Sequence, residues 1–170
     1  MRRGKAVQGF TLMELAIVLG IIAIMSGGML VAVAGRSSER RALQNASLAL
    51  QADIRYAQRR TIVEGQRYGV TFDFAYNRYH VGPATRDTHG RWTVNHDRTI
   101  YLPPGVTMRR WLTSTGMYYE GTTHQITYLP RGTVSVGATY RLRTGLYQQD
   151  VSVVPSGGRA QLLGIDPRSR

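Results

Sequence analysis

The stretch QGFTLMEL, residues 8–15, places one carboxylate at the edge of a run that otherwise reads as a membrane span. Glu14 is the only charged residue between Lys5 and Arg36. Carrying a charge into hydrocarbon costs several kcal/mol, so the acid needs a purpose. Beyond it, residues 15–35 contain no charge at all. About 20 apolar residues rising 1.5 Å each cross a hydrocarbon core of about 30 Å, so one span is available here. Arg2, Arg3 and Lys5 form a basic head without acids, which is expected to stay in the cytoplasm. Everything after Arg36 is expected outside, although Arg36, Arg40 and Arg41 follow the run closely and weaken the asymmetry.

Two readings of this front end come from general rules. An ordinary secretory signal peptide also has a basic head, and AVA at 32–34 fits the small-x-small cleavage pattern. Its apolar core is normally 7–15 residues, shorter than this one, and carries no acid. A plain anchor helix explains the length. In that case Thr11 and Glu14 have the S/T-x-x-E spacing of a capping box, each side chain serving the other residue's backbone N–H.

A third reading accounts for the whole arrangement. Gly9, Phe10, Thr11, Leu12, Met13, Glu14 and Leu15 resemble the cleavage and methylation motif of type IV prepilins and type II secretion pseudopilins. Met13 departs from the pattern, which usually has Ile or another aliphatic residue there. The resemblance implies that a prepilin peptidase cuts after Gly9, removes the leader 1–9 and N-methylates Phe10. It also implies that Glu14 pairs on assembly with the N-terminal amine of a neighbouring copy. The implied partners are other pilin or pseudopilin subunits, the peptidase and an inner-membrane assembly platform. The implied location is the cytoplasmic membrane, crossed once, with the C-terminal domain outside, and then the filament.

Within the span, Ala16, Gly20, Ala23 and Gly27 recur at a 4, 3, 4 stride. Small side chains on one helix face let another backbone approach closely. After Gly35 the pattern turns amphipathic. Leu43, Ala46, Leu50, Ile54 and Ala57 follow a stride of three to four, with Arg55, Arg59 and Arg60 off the stripe. The helix is expected to continue to about Val63 and to stop at Gly65.

The remainder reads as strands. Tyr68, Val70, Phe72 and Phe74 alternate with Gly69, Thr71 and Asp73, the period of a strand with one buried face. Tyr76 and Asn77 turn the chain into a second strand at 78–81. Further strands are expected at 92–94, 99–102, 106–111, 125–129, 139–143 and 150–154. The turns between them are LPPG (102–105), LPRG (129–132) and PSGGR (155–159). Residues 83–90 read as a polar, mobile loop. The expected class is α+β and pilin-like: a long N-terminal α-helix, its first half membrane-spanning, packed on a C-terminal antiparallel β-sheet domain. Its divisions are a leader (1–9), a transmembrane segment (10–35), an amphipathic continuation (36–65) and an extracytoplasmic β-rich domain (66–170). LQADIRYAQRRTI, RTIYLPPGV, ITYLPRGTV and VSVVPSGGRAQL resemble the GspH/FimT branch of minor pseudopilins and minor pilins.

Chemistry is sparse. The absence of cysteine excludes disulfides, thiol catalysis and Cys-based zinc sites. His80, His89, His96 and His124 lack H-E-x-x-H spacing, and there is no G-x-S-x-G elbow, P-loop or dinucleotide fingerprint. Asp87, His89, His96 and Asp97 fall in one polar region and read as solvated loop residues. No enzyme, metal or cofactor is expected. The net charge is +12 and the basic residues are almost all Arg; losing Arg2, Arg3 and Lys5 with the leader would leave +9. Arg109 with Arg110, Arg141 with Arg143, Arg159, Arg168 and Arg170 are candidate phosphate contacts, interleaved with ten tyrosines. Arg141 and Arg143 point to the same strand face. Some FimT-type minor pilins bind DNA through a Gly-Arg-x-Arg element, which Gly158 and Arg159 match and Gln161 breaks. Two functions stand beside the filament subunit: a DNA-binding minor pilin of an uptake pilus, and a secreted β protein with an ordinary signal peptide.

Overall fold

The apolar stripe of the amphipathic segment is the organising element. In the computed structural model, which describes residues 12–112, 117–119 and 121–167, with the side chains of 25–36 outside that description, helix α1 spans Leu12–Glu64. The chain divides into two units, Met1–Ser38 and Glu39–Arg170. In the first, the large apolar side chains from Leu12 to Ile24 are all exposed. Among the described residues no helix is long and apolar enough to cross a membrane; the uncharged run extends into residues 25–36. Gly9 and Phe10 lie outside the described residues.

In the second unit, Leu43, Ala46, Leu50, Ile54 and Ala57 are buried, as their stride predicts. Gly65 closes the helix with φ of 65°, a conformation that costs glycine little. Thr61 Oγ1 accepts the Tyr68 N–H at 3.0 Å and so ties the helix end to the first strand.

Among the described residues ten strands follow: β1 (Tyr68–Asp73), β2 (Arg78–Arg86), β3 (Trp92–Val94), β4 (Arg98–Tyr101), β5 (Thr107–Leu112), β6 (Met117–Tyr118), β7 (Thr123–Thr127), β8 (Ala138–Arg143), β9 (Tyr147–Val153) and β10 (Ala160–Pro167). They form two antiparallel sheets, β3-β2-β1-β7 with β4 also on β2, and β10-β9-β8-β5-β6. Val70, Phe72, Tyr79 and Ile126 of the first sheet join Met108, Tyr140, Leu142 and Val151 of the second in one core with the α1 stripe. Phe72 and Tyr140 stack across the junction with centroids 3.8 Å apart.

A buried carboxylate sits beside this core: Asp53 on α1 is only 6% exposed. Its carboxylate accepts the Tyr79 hydroxyl at 2.7 Å and pairs with the Arg98 guanidinium. Burial first, then this hydrogen bond, pushes the Tyr79 phenol well above its usual range.

Three sequence expectations change. Residues 83–90 are not a loop: β2 runs on to Arg86, pairing Ala84, Thr85 and Arg86 with Val94, Thr93 and Trp92. Pro83 sits where β2 exchanges β4 for β3 as its neighbour, a place where a missing N–H is tolerated. The turn is confined to the residues after Arg86, where Asp87 Oδ1 accepts the N–H of His89 and of Arg91. Strand β10 was not anticipated, because its register shifts between Leu162 and Ile165 and breaks the period of two. The two-residue β6 is too short to carry any pattern.

His124 lies at the junction of the sheets, its Nδ1 2.8 Å from the Tyr140 hydroxyl. Burial, and secondarily the Arg110 charge, pushes it down from 6.5 to about 4. The folded ring therefore takes its proton at lower pH than the unfolded one. Stability is full above about 6.5 and is lost as pH falls toward 4, by about 1–2 kcal/mol for this ring once solvent screening is allowed for. Thermal unfolding of the detergent-solubilised chain across pH 4–7 measures this. His124→Gln is expected to flatten that part of the profile, and an unchanged slope contradicts the assignment.

Candidate functional site

The arginines that looked available for phosphate contact have different fates. Arg141 and Arg143 do share one face of β8, but Arg141 donates two hydrogen bonds to Asp150, at 2.7 and 2.8 Å. Its guanidinium also lies 3.9 Å from the Trp111 ring centroid. The bond to Asp150 holds Arg141 firmly protonated, raising it above an arginine's ordinary value. Arg143 lies over Tyr118 and Arg110 over Tyr119, at 5.5 and 5.1 Å. Arg141 and Asp150 face each other directly in the β8–β9 register. That pairing has a sequence signal: opposite charges nearly equidistant from the LRTGLYQQ hairpin turn. Arg168 and Arg170 lie outside the described residues.

Arg159 is different, because the turn that carries it is clamped to the helix. Gln58 Nε2 donates to Gly132 O at 2.8 Å and to Gly157 O at 2.9 Å, tying both the LPRG and the PSGGR turns to α1. Gly158 has φ of 60°, and a Cβ there would run into the Gly132 carbonyl oxygen. Tyr128 donates its hydroxyl to Gly158 O at 2.9 Å. Just beyond, Ala160 O accepts from Gln51 Nε2 at 3.0 Å and from Arg55 at 3.4 Å.

The clamp brings Arg159 beside Arg55 and Arg59. These three, with Gln58, Ala160 and Gln161, line a groove of about 450 Å³. A second groove of about 470 Å³ continues along α1 over Leu48, Gln51, Ala52, Arg55, Tyr56 and Arg59. Sequence periodicity placed Arg55 and Arg59 off the core stripe. Their meeting with Arg159 depends on the Gln58 clamp, which links residues 99 apart in the chain and leaves no local signal.

The other candidates are dispersed. Glu14 lies in the first turn of α1, and Ala16, Gly20 and Ala23 are exposed on it. A Cβ on Gly20 would meet open space within this chain. The side of α1 at Gly27 lies outside the described side chains. Asp87 and His89 shape the β2–β3 turn, while His96 stacks on His80 with centroids 3.7 Å apart. Among the described residues no three metal-ligating side chains gather.

A helix whose buried stripe is covered by antiparallel strands defines the pilin-like class, and solved structures share it. The minor pseudopilin EpsH from the type 2 secretion system of Vibrio cholerae matches with TM-score 0.52 and 16% identity over 71% of this chain and 95% of that one. A second EpsH structure matches with TM-score 0.55 and 14% identity, over 72% and 96%. The type IV minor pilin FimU of Pseudomonas aeruginosa matches with TM-score 0.54 and 16% identity, over 75% and 92%. No curated protein sequence matches. The family model for type II transport protein GspH matches residues 46–157. The chain therefore belongs to the GspH family, the GspH/FimT branch of minor pseudopilins and minor pilins.

Gln58→Ala leaves two carbonyls of the clamp without their donor and is expected to cost about 1–3 kcal/mol. Gly158→Ala, which adds a strained φ and a collision, is expected to cost more. Gln44→Ala on the exposed side is expected to stay within about 0.5 kcal/mol. Urea unfolding of the three variants checks the order; equal effects at Gln58 and Gln44 contradict the clamp.

Proposed function

We propose that the chain is a minor subunit of a helical filament, inserted into the cytoplasmic membrane by residues 10–35, cleaved after Gly9 and methylated on Phe10. The observation that carries this reading is the contrast along α1. The 43–57 stripe is buried by the chain's own strands, whereas every large apolar side chain from Leu12 to Ile24 is exposed. Exposing that much apolar surface is unfavourable unless lipid or other subunits cover it. Family membership supports the same reading. Lipid would cover the segment before assembly, and neighbouring pilin or pseudopilin helices after it. Ala16, Gly20, Ala23 and Gly27 would then allow close approach, and Glu14 would meet the Phe10 amine of an adjacent copy.

The work assigned to the subunit is mechanical, within a type II secretion pseudopilus or a type IV pilus, with the prepilin peptidase and an inner-membrane platform as its handlers. The 66–170 domain lies outside the membrane. The reading assigns no catalytic residue and no cofactor.

DNA uptake is the second reading. Among its described candidates Arg109 and Arg159 are exposed, and the proximity of Arg159 to Arg55 and Arg59 is the observation that favours it. The engagement of Arg141 by Asp150 counts against it.

Intact mass of the membrane-extracted protein is expected to begin at a methylated Phe10; a start at Gly35 supports the ordinary secreted protein instead. Glu14→Ala is expected to be processed normally but to enter the filament at least tenfold less efficiently, measured by immunoblot of sheared filaments. Parental incorporation contradicts the assembly role. The purely structural role also predicts no retardation of a duplex DNA fragment at 50 mM salt. A shift that weakens steeply with added salt establishes the uptake reading.

A further inference from the structure

The outward stripe of α1 in the second unit carries Arg41, Leu48, Ala52, Arg55, Tyr56 and Arg59, all exposed. Leu48 and Tyr56 are 46% and 42% exposed, large values for apolar and aromatic groups that floor a groove. Basic groups stand at both ends of this floor, Arg41 at one and Arg55, Arg59 and Arg159 at the other. Among the described residues that line the two grooves there is no acid. The three acids of the segment act elsewhere: Glu39 accepts the Leu146 N–H at 3.2 Å, Asp53 is buried with Tyr79 and Arg98, and Glu64 pairs with Arg60. The stripe from Arg41 to Arg59 is thus about 27 Å long, positive at both ends and apolar between them.

We propose that this stripe docks a different filament subunit, through a segment that is apolar at its centre and acidic at both ends. The proposal rests on the filament reading above and adds the chemistry of the partner. Charge complementarity selects the occupant. A second copy presented face to face sets Arg41 against Arg55 and Arg59 in the antiparallel arrangement, and like against like in the parallel one; both are repulsive. A nucleic acid backbone satisfies the arginines but presses phosphates against Leu48 and Ala52, whose apolar surface then remains without a matching group. An acid-flanked apolar segment serves both. Carboxylates meet guanidinium forks, which favour paired hydrogen bonds, while Leu48, Ala52 and Tyr56 are removed from water. The subunit is accordingly specified to neighbour an acidic partner rather than to follow itself.

The test places photoreactive benzoylphenylalanine at position 56 of the full chain, expressed with its own assembly machinery and illuminated in intact cells. Adducts are identified by mass spectrometry of the crosslinked peptides. The expected adduct joins another subunit at an apolar segment with Asp or Glu on both sides. Arg55→Glu combined with Arg59→Glu is expected to lower its yield at least fivefold. Arg109→Glu, on strand β5 rather than on the helix, is expected to leave it within twofold, with thermal unfolding confirming that both variants fold. An adduct to a second copy, to nucleic acid or to a segment without acids overturns the proposal, as does no adduct or a yield insensitive to charge reversal. Intact mass of the same material keeps the two readings apart. A methylated Phe10 start with a failed crosslink overturns the docking surface alone, whereas a start elsewhere overturns the filament reading and the docking surface with it.

Discussion

The buried carboxylate of Asp53 is the constraint on which the second unit's arrangement depends. A charge inside an apolar helix stripe is tolerated only if it is fully hydrogen-bonded and paired. Here the partners come from two strands, Tyr79 on β2 and Arg98 on β4, not from the helix itself. Leu43, Leu50 and Ile54 are fully buried, but apolar contacts tolerate rotation and sliding that a carboxylate with two defined partners does not. Asp53 thereby sets which side of α1 faces the strands.

That setting decides the function-bearing surface. With Asp53 and the stripe turned inward, Leu48, Ala52, Arg55 and Arg59 turn outward. Gln51 and Gln58 fall at the boundary, where they reach Ala160 O and the two glycine turns. Arg159 is carried into place by those same bonds. The helix thus serves as core on one side, as a clamp along its edge and as a display surface on the other.

Much of this was legible in the sequence, for physical reasons. The helix stripe and β1 announced themselves because burial follows periods of 3.6 and 2, and the Gly65 stop and the Asn77 turn used residues that accept positive φ. The resemblance within the matched residues 46–157 lay in the LQADIRYAQRRTI stretch of the helix and in the strands and Pro-Gly turns that follow it. What could not be read depends on tertiary partners. Asp53 looks like any polar residue in a helix until Tyr79 and Arg98 are beside it. Arg141 looked free because its charge symmetry with Asp150 about the hairpin becomes a signal only once β8 and β9 are known to pair. β10 hid behind its bulge, and the continuation of β2 beyond Val81 hid behind Pro83, which signals a loop when its strand neighbours are unknown.

The most direct test of the Asp53 account is a double-mutant cycle in the full chain, with Asp53→Ala, Tyr79→Phe and the pair compared by urea unfolding. A carboxylate that sets the helix through its strand partners predicts non-additivity, with a coupling energy of about 1–2 kcal/mol between the two sites. Strictly additive losses would mean that the apolar stripe alone positions α1, contradicting the account.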